Sequence, residues 1–203
     1  MKPRGPMAIV LLAFAVGAVA LVSGNLMSPG ASPAVSSLMH TRLGNWLTQK
    51  WIDHDAPAAN DIRQVRRGDK RIDLSLPDID GRPQRLSQWD GKRILLNFWA
   101  TWCAPCRVEM PLLRDAQQRY AESGVQIIGI AVDKSAAVRE WVNDHPPGYP
   151  ILIDAPDRHH ATSTYGNTRA ILPYSVLIGA DGRMIRRKFG VFDADELARW
   201  LQP

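Results

Sequence analysis

The fold is decided by the stretch Asn97-Phe98-Trp99-Ala100-Thr101-Trp102-Cys103-Ala104-Pro105-Cys106, which holds the two cysteines of the 203-residue chain. An apolar run that begins at Ile94 leads into it, and a helical pattern follows it. Such a run predicts a central strand that is buried on both faces. The pair closes too small a ring to add much stability as a structural disulfide. Redox chemistry at the turn between strand and helix is therefore the favoured interpretation.

The composition argues against several classes of function. The chain carries a formal net charge of +5, but its basic residues are scattered along the sequence. This distribution does not predict nucleic-acid binding, which favours basic residues clustered on one face. Two cysteines cannot form a tetrathiolate zinc site, and the five histidines show no ligand spacing from the pair. We expect no metal and no cofactor besides the redox-active disulfide of Cys103 and Cys106.

The N-terminus has the pattern of a secretory signal or signal-anchor. Lys2 and Arg4 precede an uncharged apolar run over residues 6–22. The run is short for a bilayer, but the uncharged residues 23–27 extend it. No small-x-small cleavage site follows directly, which favours an anchor and leaves a cleaved signal open. The positive-inside rule keeps the N-terminal charges in the cytoplasm and places the following chain outside it.

The rest of the chain divides at its polar stretches. We predict a signal-anchor or transmembrane helix over 1–27, a linker over 28–70, and a folded domain over 71–203. Apolar residues at three- and four-residue steps predict a short amphipathic helix over 38–51, within the linker. This helix could pack on the main domain, lie on the membrane or contact a partner.

The folded domain alternates strand and helix patterns. The predicted elements are a hairpin of 72–76 and 84–86, a helical turn over 87–90, strand 93–100, helix 106–120, strand 125–132, helix 133–143, strand 149–153, a helical turn over 161–166, a hairpin of 174–178 and 184–189, and helix 193–201. This order predicts an α/β fold with a mixed sheet, parallel in its first half, and helices on both faces.

The two cysteines are expected to play different parts. Cys103 would lie in the loop that closes the strand, against the positive end of the helix dipole, which lowers the pKa of its thiol. It would attack a disulfide, and Cys106 in the first helical turn would resolve the mixed disulfide. Pro105 lacks an N–H and presets the helical entry. Trp102 would either shield the site or be a partly buried aromatic residue, and both interpretations stay open.

Three blocks of sequence in this order resemble the thioredoxin superfamily, and more closely its membrane-tethered TlpA-like branch. They are 75–81 with Leu86-Ser87, 97–111, and 172–178 before Asp181-Gly182. The resemblance covers about 72–201 and implies a thioredoxin-like three-layer sandwich with a mixed central sheet, an N-terminal β-hairpin extension and an N-terminal membrane helix. It also implies a thiol–disulfide oxidoreductase, since that branch includes proteins of cytochrome c maturation.

The resemblance carries several residue roles over to this chain. Pro173 matches the family's cis-proline, which with Leu172 before it faces the cysteine pair and helps to hold an extended substrate backbone. Glu109 matches an acidic residue of this branch that could exchange a proton with the second cysteine. Asn97 occupies the place of a buried aspartate in thioredoxins and cannot accept a proton, which favours Glu109. Pro111 matches the proline that bends the active-site helix.

The direction of electron flow is predicted from the residues between the cysteines. Ala104 and Pro105 offer no histidine or other group that would further stabilise the Cys103 thiolate, which favours a reductant over a strong oxidant. The resemblance then implies protein thiol or disulfide substrates, a membrane electron donor, and a bacterial inner-membrane anchor with the catalytic domain in the periplasm. No donor-binding motif is recognisable.

Three alternatives are kept for comparison. A peroxiredoxin-like peroxidase is suggested by Thr101, two residues before Cys103, although such enzymes keep their threonine further upstream and do not use Cys-x-x-Cys as their core motif. A non-catalytic binding or chaperone domain would hold partners in the groove at the cis-proline. A dedicated oxidase of nascent proteins would share the same residues and differ in potential.

Overall fold

A computed structural model describes residues 64–154 and 160–202. Its elements are β1 (Ser75–Pro77), β2 (Pro83–Arg85), a 3₁₀ helix (Leu86–Trp89), β3 (Arg93–Trp99), α1 (Ala104–Tyr120), β4 (Val125–Ala131), α2 (Ser135–Asp144), β5 (Ile151–Ile153), α3 (His160–Thr164), β6 (Tyr174–Ile178), β7 (Met184–Phe189) and α4 (Ala194–Leu201). The predicted signal-anchor and the amphipathic helix over 38–51 lie outside the described residues. Within those residues, every helix is too short or too polar to cross a bilayer.

Five strands form the central sheet in the order β5-β4-β3-β6-β7. β3, β4 and β5 are parallel, β6 runs antiparallel to β3, and β7 runs antiparallel to β6. Parallel neighbours need a crossover connection, and α1 and α2 supply the two that this sheet requires. The predicted mixed sheet, parallel in its first half, is confirmed. β1 and β2 pair with each other in a separate antiparallel sheet.

Alternate residues of β3 enter two different cores. Leu95 and Trp99 belong to the core that α1, α2 and α4 cover. Leu96 and Phe98 belong to the core on the other face, which is covered by α3, the 3₁₀ helix and the segment before β1. Successive side chains of a strand point to opposite faces, so Asn97 shares the face of Leu95 and Trp99 and points toward α1.

The structure differs from the predicted bounds at α1, the helix that begins at the cysteine pair. α1 begins at Ala104 rather than at residue 106, because Cys103 is its N-cap and the sulfur of Cys103 accepts the N–H of Cys106. α2 begins after Lys134, which makes no capping hydrogen bond with its side chain. Of the two residues predicted to open α2, Ser135 is its first residue, whereas Asp133 lies before the helix and its Oδ2 accepts hydrogen bonds from Thr101.

The packed region also includes residues ahead of the predicted boundary at 71. Val65 is 4% exposed and lies in the core on the α3 face. Its N–H donates to the carbonyl of Thr164 at 2.7 Å, and the N–H of Gly68 donates to the carbonyl of Met184 at 2.8 Å. These contacts attach the chain before β1 to α3 and to the start of β7.

Candidate active site

Cys103 and Cys106 form a disulfide at the N-terminus of α1, with their Cα atoms 5.3 Å apart. Both are buried, Cys103 being 5% and Cys106 1% exposed. Cys103 has an extended backbone, and the N–H of Cys106 donates to its sulfur at 3.3 Å. A backbone N–H and the positive end of a helix both favour a thiolate over a thiol. The local structure therefore suits Cys103 for nucleophilic attack.

Glu109 is a buried carboxyl group on α1, only 3% exposed. It follows Cys106 by three residues, so both lie on one face of the helix. Its Oε1 accepts the N–H of Phe192 at 2.6 Å, and its Oε2 accepts a hydrogen bond from Nδ2 of Asn97 at 3.1 Å. Burial raises the pKa of Glu109 to about 7, while these two hydrogen bonds oppose the rise. A carboxyl group with this pKa can take up or release a proton at neutral pH.

Asn97 connects its own strand, β3, to α1 and to β6. Its side chain is 1% exposed, and Nδ2 donates both to Glu109 of α1 and to Oγ of Ser175, the latter at 3.1 Å. Ser175 belongs to β6 and stands opposite Asn97 in the register of β3 with β6. The prediction did not include Ser175. A polar residue in an otherwise apolar strand, two places after Pro173, was the available signal.

The peptide bond between Leu172 and Pro173 is cis, as the resemblance predicted. Pro173 directly precedes β6, and Tyr174 pairs with Phe98 near the end of β3. Since β6 runs antiparallel to β3, the cis-proline lies at the edge of the sheet from which β3 leads to Cys103. The carbonyl of Pro173 accepts the N–H of Gly190 at 2.8 Å, which connects this loop to the end of β7.

A pair that the sequence did not predict anchors the loop before Cys103. Oδ2 of Asp133 accepts the N–H of Thr101 at 3.0 Å and its hydroxyl at 2.5 Å. Trp99 and Ala131 are register partners at the ends of β3 and β4. The residues that follow two parallel neighbours therefore meet at one edge of the sheet. Asp133 is 7% exposed, so these contacts lie largely out of water.

Three apolar side chains on segments that carry site residues are exposed. Trp102 is 68% exposed, which favours a role at the surface over that of a partly buried aromatic residue. Val108 of α1 is 78% exposed, and Val191, next to the Phe192 amide that binds Glu109, is 42% exposed. Of the three, Trp102 is the neighbour of Cys103 in the chain, so an exposed aromatic side chain directly precedes the reactive pair.

The two prolines of α1 lie on its exposed side. Pro105 is in the first turn, where the absence of an N–H costs no helical hydrogen bond. Pro111 is inside the helix, where it cannot donate to the carbonyl four residues earlier. Among the described residues, no three His, Cys, Asp or Glu side chains are grouped closely enough to hold a metal ion.

The sheet order, the disulfide at a helix N-terminus and the cis-proline at the same edge of the sheet define a thioredoxin-like redox protein. Residues 67–187 match the AhpC/TSA family, and the chain belongs to that family. The resemblance to the thioredoxin superfamily is thereby confirmed.

Relatives of known name agree with this class. The chain is 32% identical over 143 residues to the thiol-disulfide oxidoreductase ResA of Bacillus cereus, covering 70% of this chain and 80% of that protein. It is 28% identical over 169 residues to ResA of Geobacillus thermodenitrificans, covering 83% and 88%. A thiol:disulfide interchange protein of the thioredoxin family from Chlorobium tepidum has a similar structure, with a TM-score of 0.59 at 27% identity, covering 67% of this chain and 95% of that one. The chain is a thioredoxin-like thiol–disulfide oxidoreductase.

Proposed function

We propose that the protein reduces disulfide bonds of other proteins outside the cytoplasm, with Cys103 as the nucleophile and Cys106 as the resolving cysteine. The observation that carries this proposal is the N-cap position of Cys103, whose sulfur accepts the N–H of Cys106 at 3.3 Å. A thiolate at this place is stabilised by the helix end, while Cys106 is held within reach of it.

The first step forms a mixed disulfide. The Cys103 thiolate attacks one sulfur of the substrate disulfide, a bond forms between them, and the substrate's other sulfur leaves as a thiolate. Trp102, Leu172 and Pro173 form the substrate-binding surface, because Trp102 is exposed beside the cysteine and the cis-proline loop lies at the same edge of the sheet. An extended substrate backbone would pass along this loop.

The second step releases the reduced substrate. Cys106 loses its proton and attacks the sulfur of Cys103. The Cys103–Cys106 disulfide forms, the mixed disulfide bond breaks, and the substrate sulfur leaves as a thiolate with the electron pair of that bond. Glu109 is the proton acceptor in this step, because it shares a helix face with Cys106 and its pKa is raised to about 7 by burial. Asn97 holds Oε2 of Glu109 in place at 3.1 Å.

The oxidised pair must then be reduced again. A dithiol donor in the membrane would attack the Cys103–Cys106 disulfide and take its place as the oxidised partner, which returns two electrons to the pair. Lys2, Arg4 and the apolar run over 6–22 support a single bacterial inner-membrane anchor with the domain in the periplasm. Apocytochrome c thiols, a copper-site protein and misoxidised proteins are the substrate classes to compare.

The reduction potential of the pair tests the direction of electron flow. Equilibration with glutathione should give a value near that of thioredoxin, about −270 mV, rather than near the strong oxidant DsbA, about −120 mV. Mass spectrometry of the alkylated protein gives the fraction of each form at each glutathione ratio. A value near that of the strong oxidant would support the dedicated oxidase instead.

Cysteine variants test the order of attack. Cys106→Ala should accumulate a mixed disulfide between Cys103 and a disulfide-containing substrate such as insulin, because nothing resolves it. Cys103→Ala is the matched control and should accumulate none. Cys103→Ser should lower insulin reduction to the uncatalysed background. A parent protein that itself reduces insulin no faster than this background, and a Cys103→Ser variant that binds a partner protein as tightly as the parent, would support a non-catalytic binding or chaperone domain.

Peroxide turnover distinguishes the peroxidase alternative. The hydroxyl of Thr101 donates to Asp133 at 2.5 Å, so its proton is already engaged at the end of β4. We expect hydrogen peroxide to be consumed no faster than by a free thiol. Turnover at enzymatic rates by the reduced protein would favour the peroxidase.

A further inference from the structure

An ion pair between β7 and α4 lies next to Phe192, a residue that also contacts Glu109. Nζ of Lys188 on β7 is 3.0 Å from Oε2 of Glu196 on α4, and the two side chains are only 13% and 26% exposed. Nζ of Lys188 also lies 5.5 Å from the centre of the Phe192 ring. Phe192 is the residue whose N–H donates to Glu109 at 2.6 Å. The ion pair and the buried carboxyl group therefore share one neighbour.

The two charges of the pair act on Glu109 in opposite directions. The Lys188 ammonium lowers the pKa of Glu109, whereas the Glu196 carboxylate raises it, and both effects are smaller than that of burial. Because these two effects oppose each other, the pKa of Glu109 stays near the value of about 7 to which burial raises it. Removal of either charge would leave the effect of the other on the pKa of Glu109 unopposed. Both charges are shielded from water, so their fields are weakly screened.

Within the described part of the chain, the groups that hydrogen-bond to Glu109 carry no charge. The side chain and backbone that contact it from other elements, the Asn97 amide and the Phe192 N–H, are neutral. The Tyr149 phenol lies close enough for the charge of Glu109 to raise its pKa, but burial raises that pKa further and keeps the phenol protonated. Among the described residues, Lys188 and Glu196 are thus the charges through which the protein sets the titration of Glu109.

We propose that Lys188 and Glu196 are positioning residues that act through Glu109 and set the pH at which its carboxyl group accepts the proton of Cys106. This inference rests on the proposed role of Glu109 in resolution. It adds a reason for the ion pair at this place: a partly buried pair contributes little net stability, because desolvation of both charges offsets their attraction.

The test uses two variants that break the same ion pair and are expected to shift Glu109 in opposite directions. Glu196→Gln leaves the Lys188 charge unopposed and should lower the pKa of Glu109 by about 0.5 to 1 unit. Lys188→Met leaves the Glu196 charge unopposed and should raise that pKa by a similar amount. Lys188→Arg keeps the charge and should restore the parent value. Carbon NMR of the full chain with labelled glutamate side chains measures the titration, and Glu109→Gln assigns the signal.

A second ion pair supplies matched controls. Nη1 of Arg82 is also 3.0 Å from a carboxylate, Oδ2 of Asp80, and both side chains are more than half exposed. Arg82→Gln and Asp80→Asn remove one charge each and should leave the titration of Glu109 unchanged. The inference is wrong if Lys188→Met and Glu196→Gln shift the pKa of Glu109 in the same direction. It is also wrong if they leave that pKa unchanged, as the control variants should.

The reaction supplies the second measurement. The rate at which the Cys103–substrate mixed disulfide is resolved should depend on pH through Glu109, and the midpoint should move down in Glu196→Gln and up in Lys188→Met. If Glu109→Gln changes this profile and the ion-pair variants do not, the inference alone fails. If Glu109→Gln itself leaves the profile unchanged, the proposed proton role of Glu109 fails, and the inference fails with it.

Discussion

At the scale of single residues, the proposed proton exchange of Glu109 involves the amide of Asn97, which stands where the resemblance places the buried acid of thioredoxins. Nδ2 of Asn97 donates to the Glu109 carboxylate at 3.1 Å. An amide can also turn to present its oxygen to a protonated carboxyl group, so Asn97 can pair with either form of Glu109. An aspartate carboxylate at this position could accept a hydrogen bond only from the protonated form of Glu109. Asn97 therefore adds no second acid beside Glu109.

Asn97→Asp should make the stability of the protein strongly dependent on pH. The substitution places a second carboxyl group at about the 3.1 Å separation that now joins Asn97 and Glu109. Two carboxylates this close cannot both ionise readily, so the pair retains a proton above neutral pH and the folded state is penalised when it is lost. We expect the free energy of unfolding in urea to fall by about 2 kcal/mol more at pH 8 than at pH 5, relative to the parent. Asn97→Ala, which adds no charge, should show no such additional loss.

Glu109 itself should make the parent protein less stable as the pH rises. Burial raises its folded-state pKa from 4.5 to about 7, so the folded state binds the proton more tightly than the unfolded chain. The stability from this group is complete below pH 4.5 and is lost as the pH rises through 7. At about 1.4 kcal/mol per unit, the loss is about 3 kcal/mol.

Glu109→Gln removes this titration, and urea unfolding of both proteins between pH 4 and 8 measures it. The stability of the parent relative to the variant should decrease across that range. A difference that is constant with pH, or that increases, would contradict the raised pKa.

At the scale of elements, the site depends on what happens where parallel strands end. β3 and β4 finish side by side, and the N–H of Val132 still donates to the carbonyl of Trp99 at 2.8 Å. Asp133 then binds both the N–H and the hydroxyl of Thr101. The loop that delivers Cys103 to the start of α1 is thereby held to the neighbouring strand.

Thr101→Val should loosen this loop. It deletes the hydroxyl that donates to Asp133 at 2.5 Å and leaves a buried carboxylate with one donor fewer. We expect the free energy of unfolding to fall by about 1 to 3 kcal/mol, with slower disulfide exchange at Cys103. Thr168→Val is the matched control, because the Thr168 hydroxyl is buried without a hydrogen-bond partner among the described residues. An equal loss in both variants would show that the Asp133 contact does not matter.

At the scale of the whole molecule, the candidate site gathers at one edge of the sheet. β3 ends there before Cys103, β4 ends there before Asp133, and β6 begins there after Pro173. β7 runs parallel to β3, so its end reaches the same edge and leads to Phe192. Strand ends in α/β sheets commonly carry the functional site, because several loops converge there while the strands hold them rigidly.

Because the site is assembled from distant parts of the chain, the sequence could predict its elements but not all of its contacts. The order and approximate bounds of the elements followed from local periodicity, and the cis-proline followed from a motif. The contacts of Asn97 with Ser175 and of Thr101 with Asp133 join residues far apart in the chain. They depend on which strands pair and in what register, and no tight turn joins β3 to β4 or to β6 to fix that register locally. The ion pair of Lys188 and Glu196 was hidden for the same reason, since charged residues on an amphipathic strand and helix look like ordinary surface.

The placement of this domain outside the cytoplasm is the remaining prediction at the scale of the whole molecule. The full chain should fractionate with bacterial inner membranes and resist extraction at alkaline pH, because the uncharged run over 6–27 can span a bilayer. Protease added to spheroplasts should digest the catalytic domain, since the positive-inside rule keeps Lys2 and Arg4 in the cytoplasm. A soluble periplasmic product that lacks the N-terminus would indicate a cleaved signal.

Reversal of the N-terminal charges provides the control. Lys2→Glu combined with Arg4→Glu leaves the apolar run and the whole catalytic domain unchanged, but removes the charges that set orientation. We expect a smaller protease-sensitive fraction in spheroplasts, while the purified variant reduces insulin at the parent rate. If the parent domain is protected from protease in intact spheroplasts and digested only after lysis, it faces the cytoplasm. Its cysteine pair would then exchange electrons with the reducing cytosolic glutathione pool, and the proposed function as a periplasmic reductant would be wrong.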